Sequence, residues 1–163
     1  MNLYKNFINK NDSTKICTAL LGNNFPWYYS PHQVVEKKRP NTDSSFMFHT
    51  FFKNSKTHSS AMDLIKPILN KLQPKKIFNI RANLCLKRPF QCSWHVDEFT
   101  DDLRHKTAIY YVNTNNGYTE FKNKKVKCIK NQIVIFDAHL KHRAKAQTDK
   151  DARVVINLNY ESI

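Results

Sequence analysis

The fold is decided by residues 132–160, which read QIVIFDAHLKHRAKAQTDKDARVVINLNY. Three short strand-like runs stand in this stretch: Gln132–Phe136, Lys141–Gln147 and Ala152–Tyr160. The polar residues between the second and third runs, Thr148-Asp149-Lys150, have the chemistry of a tight turn. Runs this short, joined this tightly, predict antiparallel strands rather than helices.

The same pattern extends upstream to Ile77. Five more strand-like runs are separated by turn residues such as Asn115-Asn116-Gly117. They are Ile77–Leu86, Cys92–Val96, Lys106–Asn113, Tyr118–Phe121 and Lys125–Lys130. Short strands with tight turns, eight of them over about 85 residues, are typical of a double-sheet jelly roll. We therefore predict a mainly β protein, a double-stranded β-helix of jelly-roll or cupin-like form with one or two supporting N-terminal helices.

The N-terminal part of the chain predicts a support region. In chain order it has an irregular polar stretch (1–24), an aromatic segment expected to pack on the core (25–29), a loop (30–45), a strand (46–52) and a helix (59–72). Pro67 is expected to kink or split that helix. We expect a single domain over residues 1–163, with residues 1–75 as support and residues 77–160 as the jelly-roll core.

Composition says little about partners. Lysine and arginine number 27 against 13 acidic residues, a formal net charge of +14. Such an excess suits nucleic acid, but most of the cations are lysines spread along an asparagine-rich chain, as in a compositional bias.

No apolar run approaches the ~20 residues of a membrane span, and we expect neither a membrane partner nor a secretory signal. The four scattered cysteines predict reduced thiols and a cytoplasmic location.

A candidate metal motif, His95-Val96-Asp97, offers an imidazole and a carboxylate two residues apart. On a strand such residues share a face, so both can reach one ion. The motif alone is a weak signal, because a surface histidine beside an acidic turn reads the same way. His139 and His142 are the two candidates for a third ligand. We favour His142, because it opens a predicted strand whereas His139 falls in an expected turn.

Arg153 follows His142 by eleven residues, on the next predicted strand. In an antiparallel pair the two side chains can lie near each other across the ladder. Two histidines and one carboxylate on one side of a metal leave positions open, an arrangement found in non-heme iron(II) oxygenases. A buried arginine beside such a site is most simply a bidentate clamp on a carboxylate-bearing cosubstrate.

The spacing HxD…H-x10-R resembles the 2-oxoglutarate/Fe(II)-dependent dioxygenase superfamily. The HVD motif followed by Ile109-Tyr110-Tyr111-Val112-Asn113 is similar to its prolyl-4-hydroxylase-like branch, and the match covers residues 77–160. The resemblance implies a set of roles. His95, Asp97 and His142 would bind iron, Arg153 would hold the distal carboxylate of 2-oxoglutarate, Tyr111 would hydrogen-bond that carboxylate, and Asn83 would contact cosubstrate or substrate.

The resemblance also implies an activity, the hydroxylation of a peptidyl or free amino-acid residue, proline first. Fe(II), 2-oxoglutarate and O2 would be required, and the substrate partner would be a protein, a peptide or an amino acid. The chain departs from many prolyl hydroxylases at Leu84 and Cys85, where those enzymes carry a tyrosine. A nucleic-acid oxidative dealkylase of the alkylation-repair type and a non-enzymatic cupin-like ligand-binding protein are the alternatives.

Overall fold

Two antiparallel sheets form the frame of the computed structural model, which describes residues 1–31, 45–97 and 100–163. The strands are β1 (Asn2–Tyr4), β2 (Tyr28–Ser30), β3 (Phe46–Lys53), β4 (Lys56–Thr57), β5 (Lys76–Leu86), β6 (His105–Tyr111), β7 (Tyr118–Phe121), β8 (Lys124–Lys127), β9 (Gln132–Asp137), β10 (His142–Lys145) and β11 (Ala152–Glu161). The helices are α1 (Lys10–Leu20), a 3-10 helix (Met62–Ile65) and α2 (Lys66–Leu72). The prediction of a mainly β chain with supporting N-terminal helices is confirmed.

The larger sheet has the strand order β1-β9-β6-β11-β5-β3-β2, with β4 paired to β3. The smaller sheet has the order β10-β7-β8. Isolated bridges extend it, one from Gln91 to Lys145 and one from His95 to His142. The strand predicted at Cys92–Val96 was therefore wrong as a regular element. Its chain touches β10 at separate points instead of forming a continuous ladder.

The central strand β11 separates two apolar layers because alternate side chains point to opposite faces. Val154, Ile156 and Leu158 belong to the core that lies under the helices. Val155 belongs to a second core, which includes Phe121 of the smaller sheet. Burying a side chain of this size stabilises the fold by about 1.5–3 kcal/mol. The face that looks toward the smaller sheet is the one that carries the polar side chains described below.

The polar N-terminal stretch is not irregular, and that prediction was wrong. Residues 10–20 form α1, whose Ile16 and Leu20 side chains are buried in the core under the helices. Asn9 caps this helix, because its side-chain oxygen accepts a hydrogen bond of 2.9 Å from the Asp12 backbone N–H. Asp12 adds a negative charge to the first turn, where the helix dipole favours it.

The predicted helix at residues 59–72 is split, as the proline suggested. A 3-10 turn leads into α2, and Pro67 stands in the first turn of α2, where its missing N–H costs nothing.

The aromatic segment at 25–29 packs on the core only in part. Phe25 and Trp27 pack against the core, whereas Tyr28 and Tyr29 are exposed. Most of the predicted loop at residues 30–45 lies outside the described residues.

Among the helices of the described ranges, none combines the length and the apolar character that a bilayer crossing demands.

Substituting Asn9→Ala is expected to lower the free energy of unfolding by about 1 kcal/mol, since an N-cap side chain satisfies a helix donor that is otherwise unpaired. Urea denaturation followed by circular dichroism measures the change. Asn70→Ala is the matched control, because Asn70 is an exposed residue inside α2. Alanine there should be neutral or slightly stabilising. Equal losses for both variants would contradict the capping role.

Candidate metal centre and its cavity

Three side chains from distant parts of the chain converge between the two sheets. One potential ligand atom from each of His95, Asp97 and His142 lies within 4.8 Å of the other two. His95 Nε2 lies 4.0 Å from Asp97 Oδ1, and His142 Nε2 lies 3.9 Å from Asp97 Oδ2. The two imidazole rings are 4.5 Å apart between centroids. Side chains this close can share one cation.

The backbone fixes the two histidines against each other. His95 N–H donates to the carbonyl of His142 at 3.0 Å, and His142 N–H donates back at 2.9 Å. Each Nδ1 also faces a backbone carbonyl, that of Ser93 for His95 and that of Leu140 for His142, both at 3.0 Å. Because a carbonyl only accepts, each Nδ1 carries the hydrogen. The Nε2 lone pairs therefore remain free for a metal.

Asp97 is held by polar groups of the larger sheet. Its Oδ2 accepts from Thr107 Oγ1 at 2.8 Å, from Asn159 Nδ2 at 3.3 Å and from Asn157 Nδ2 at 3.5 Å. Thr107 and Asn159 are direct partners across β6 and β11, and their side chains bond each other at 3.0 Å. These donors orient the carboxylate before any metal arrives, as supporting groups of metal sites do.

Burial sets the protonation state of His142. Removal from water lowers the pKa of this imidazole, the Asp97 charge opposes that shift, and His95 lowers the pKa further. The neutral form is the one that binds metals. Phe136 packs edge-on to the His142 ring at 4.8 Å between centroids and helps to keep the ring dry.

The same three residues line a cavity of about 270 Å³ between the sheets. Its other walls include Ile109, Thr119 and Val155, together with three polar side chains of the larger sheet: Arg81, Asn83 and Asn157. Burial lowers the pKa of Arg81, and the charge of Asp97 opposes the shift. Arg153 also lines the cavity, so two guanidinium groups face one enclosed space.

Arg153 is only 2% exposed. Its Nε donates to Cys128 Sγ at 3.0 Å, and its Nη2 lies 3.5 Å from Thr119 Oγ1. Within the described residues no carboxylate comes within 4.0 Å of it. An isolated charge in such a place costs several kcal/mol unless an opposite charge joins it. An anion at this end of the cavity would match that charge.

The predicted pairing of the His142 strand with the Arg153 strand was wrong. β10 pairs with β7 in the smaller sheet, whereas β11 pairs with β5 and β6 in the larger sheet. The turn between the two strands carries the chain from one sheet to the other. Arg153 and His142 consequently line the same cavity from different sheets and are not neighbours on paired strands.

The two remaining predicted contacts occupy different places. Asn83 lines the cavity, and its Oδ1 is buried with no hydrogen-bond partner. Tyr111 is fully buried and donates its hydroxyl to Thr119 Oγ1 at 2.8 Å. Burial raises the pKa of Tyr111. Thr119 Oγ1 thus connects the Tyr111 hydroxyl to the Arg153 guanidinium. No sequence motif predicted this connection.

The alternative ligand His139 is exposed on the turn after β9, outside the cluster. His49 is buried elsewhere, where its ring nitrogens meet the Pro26 carbonyl at 2.8 Å and Ser59 Oγ at 2.7 Å. Among the described residues, the arrangement at His95, Asp97 and His142 is the only cluster of histidine, cysteine and acidic side chains that could hold a metal.

Comparison with protein-family models and with curated protein sequences found no match. Solved structures do match. A Trichoplax adhaerens prolyl hydroxylase, solved with a hypoxia inducible factor peptide fragment, aligns with a TM-score of 0.71 at 16% identity over 99% of this chain and 83% of its own. The alpha-ketoglutarate-dependent epimerase SnoN from nogalamycin biosynthesis aligns at 0.69 and 11% identity, over 98% of this chain and 76% of its own.

A viral collagen prolyl hydroxylase from Paramecium bursaria Chlorella virus-1 aligns at a TM-score of 0.59 and 14% identity, over 99% of this chain and 89% of its own. Likeness at these identities establishes the fold. The chain has the double-stranded β-helix of the 2-oxoglutarate/iron(II) oxygenases. Within that class its fold is also that of the prolyl hydroxylases, as the sequence predicted.

Proposed function

We propose that the chain is an iron(II)- and 2-oxoglutarate-dependent oxygenase. The observation that carries the proposal is Arg153, a buried guanidinium without a carboxylate partner among the described residues, opening on the same cavity as the metal cluster. A neutral ligand would leave that charge unmatched. A small dicarboxylate that also reaches the metal would match it.

The donor set fits iron(II). Two imidazoles with free Nε2 atoms and one carboxylate leave coordination positions for other molecules, whereas a structural zinc site is closed by four protein ligands. SnoN, which shares this fold, has been solved with Fe3+ and alpha ketoglutarate. When bound, the iron would supply oxygen activation coupled to decarboxylation of the cosubstrate.

The chain's own residues then bind, orient and exclude water. Arg153 would hold the distal carboxylate of 2-oxoglutarate, with Thr119 and Tyr111 fixing the guanidinium in place. Ile109 and Val155 form an apolar wall of the cavity. Such a wall strengthens the charge pairing at Arg153 because it keeps water away.

The proposed reaction is hydroxylation of an amino-acid residue, free or within a peptide, with proline as the first candidate. Three of the fold neighbours are prolyl hydroxylases, and one of them was solved with a peptide. None of the neighbours described above is a nucleic-acid enzyme, and the charge of +14 alone does not favour that alternative. We also propose a reducing compartment such as the cytoplasm, which four cysteines outside any disulfide suit.

Anaerobic titration with iron(II) and then 2-oxoglutarate tests the proposal. A weak visible charge-transfer band should appear only when both are present, and succinate should form when air and a mixture of amino acids and peptides are admitted. A protein that binds 2-oxoglutarate with iron but never turns it over would favour the non-enzymatic cupin-like alternative. Absence of both the band and turnover would contradict the proposal.

A further inference from the structure

A second cation of the cavity, Arg81, is not used by the site described so far. It lies on β5, and its guanidinium carbon stands 5.5 Å from the Phe46 ring centroid and 5.8 Å from that of Phe48. Its Nε is buried without a hydrogen-bond partner. Among the described residues no carboxylate lies within 4.0 Å of Arg81. The aromatic rings hold the side chain in place, and its Nε finds no acceptor among the described residues.

Arg81 and Arg153 stand at different levels along the larger sheet. Arg81 pairs with Asn157 across β5 and β11, whereas Arg153 pairs with Cys85. The two positions are thus four residues apart along the strands, or about 13 Å.

The two arginines also differ in their access to solvent. Arg153 lies at the closed end, whereas Arg81 is half-buried. Beside it, the half-buried Phe48 pairs across β2 and β3 with Tyr28, which is 58% exposed. Arg81 therefore stands at the side of the cavity that leads toward the surface.

Two hydrogen-bond acceptors flank this cation. Asn157 Nδ2 faces the Asp97 carboxylate at 3.5 Å, so its Oδ1 points away, buried and without a partner. Asn83 Oδ1 is also buried without a partner. Buried acceptors of this kind require a donor, and its absence costs about 1–3 kcal/mol each. The surroundings of Arg81 thus combine one cation with two acceptors.

Charge balance in the cavity points the same way. The metal dication and the cosubstrate dianion cancel, and Asp97 balances one guanidinium. Of the charges on the described residues, one positive charge then stays unmatched in a space walled partly by Ile109 and Val155. A substrate carboxylate placed beside Arg81 would match that charge locally.

We infer that Arg81, Asn83 and Asn157 form a substrate subsite for a carboxylate with a neighbouring N–H donor. The inference rests on the proposed function and narrows it. The substrate is a free amino acid, proline included, or the last residue, other than proline, of a peptide with a free C-terminus, and not a residue in the interior of a protein. An interior residue other than aspartate or glutamate has no carboxylate of its own to place on Arg81.

Binding to protein loaded with Zn(II) and 2-oxoglutarate tests this without turnover, because zinc has no redox chemistry. Calorimetry would compare each of the free L-amino acids, proline first, with its amide. The preferred acid should bind at least tenfold more tightly than its amide. A peptide ending in the preferred residue, with its C-terminus free or amidated, separates the two sources of the carboxylate.

Variants test whether Arg81 is responsible for the preference for the acid over its amide. Arg81→Gln should remove the advantage of the acid and leave the affinity for 2-oxoglutarate within twofold, and Arg81→Lys should restore part of it. Arg104→Gln is the matched control, because Arg104 is exposed and pairs with Asp102 at 2.7 Å outside the cavity lining. That variant should keep the full preference.

The outcomes separate the two proposals. If wild-type protein binds metal and 2-oxoglutarate but prefers no acid over its amide, the subsite is overturned and the oxygenase proposal stands. If Arg81→Gln weakens 2-oxoglutarate as much as the acid, Arg81 belongs to the cosubstrate and the subsite is overturned. If neither metal nor 2-oxoglutarate binds, the oxygenase proposal falls and takes the subsite with it.

Discussion

Substituting Asp97→Ala is expected to lower iron(II) affinity more than about 100-fold and to abolish 2-oxoglutarate turnover. Asp97 is the only anionic member of the cluster. Loss of a group that merely supports a metal ligand costs about 10–100-fold, so loss of the charged ligand itself should cost more. Anaerobic iron titration and succinate formation measure the two effects.

Histidine variants check the ligand assignment in the same assays. His142→Ala should lose the metal as Asp97→Ala does, and His139→Ala should keep it, because His139 is exposed on a turn. The reverse result for the two histidines would show that the wrong imidazole has been assigned. Thermal unfolding gives a second readout. Metal at 100 times its Kd should stabilise the wild-type protein by about 2.7 kcal/mol and leave Asp97→Ala unchanged.

Strands β3 and β5 to β11 could be predicted because each carries a strong local signal. Tyr118–Phe121 was predicted to the residue, and the strand ending at Leu86 began one residue earlier than predicted. The strand predicted at Ala152–Tyr160 extends one residue beyond its predicted end, to Glu161. Alternating or continuous β-branched and aromatic residues with polar turns between them allow few other readings.

The elements that were missed depend on weaker or non-local signals. Helix α1 could have been found from Asn9 and Asp12 at capping distance and from Ile16 and Leu20 on one face. The sheet to which β10 belongs could not, since a local pattern fixes a strand and not its partner. The same limit explains why Arg153 was predicted beside His142 on a ladder rather than opposite it.

In the site, the residues with distinctive chemistry were visible in the sequence, and their supporting groups were not. An HxD motif draws attention to His95 and Asp97, but Thr107 and Asn159 look like ordinary strand residues. Their role arises only from the register of β6 with β11, which sets them as direct partners under the carboxylate. Register is a property of the folded sheet and has no signature in a single segment.

Substituting Arg153→Met is expected to weaken 2-oxoglutarate binding at least roughly 30-fold, because removing one partner of a buried charge pair costs about 2–5 kcal/mol. Iron affinity should stay unchanged, since Arg153 is not among the three cluster residues. The free energy of unfolding of the ligand-free protein should stay the same or rise. Methionine fills the space without a buried charge that lacks a counterion among the described residues.

Stability is the measurement that separates binding from architecture at this position. An arginine kept for structure would show a large loss of stability on substitution, with 2-oxoglutarate binding reduced only as the protein unfolds. Urea denaturation beside calorimetry of 2-oxoglutarate distinguishes the two cases. Arg143→Met is the matched control, because Arg143 pairs with Glu120 at 2.7 Å and lies over the Trp94 ring at 4.5 Å, outside the cavity lining. That variant should bind 2-oxoglutarate as the wild type does, and a similar loss in both would mean that Arg153 has no special part in holding the cosubstrate.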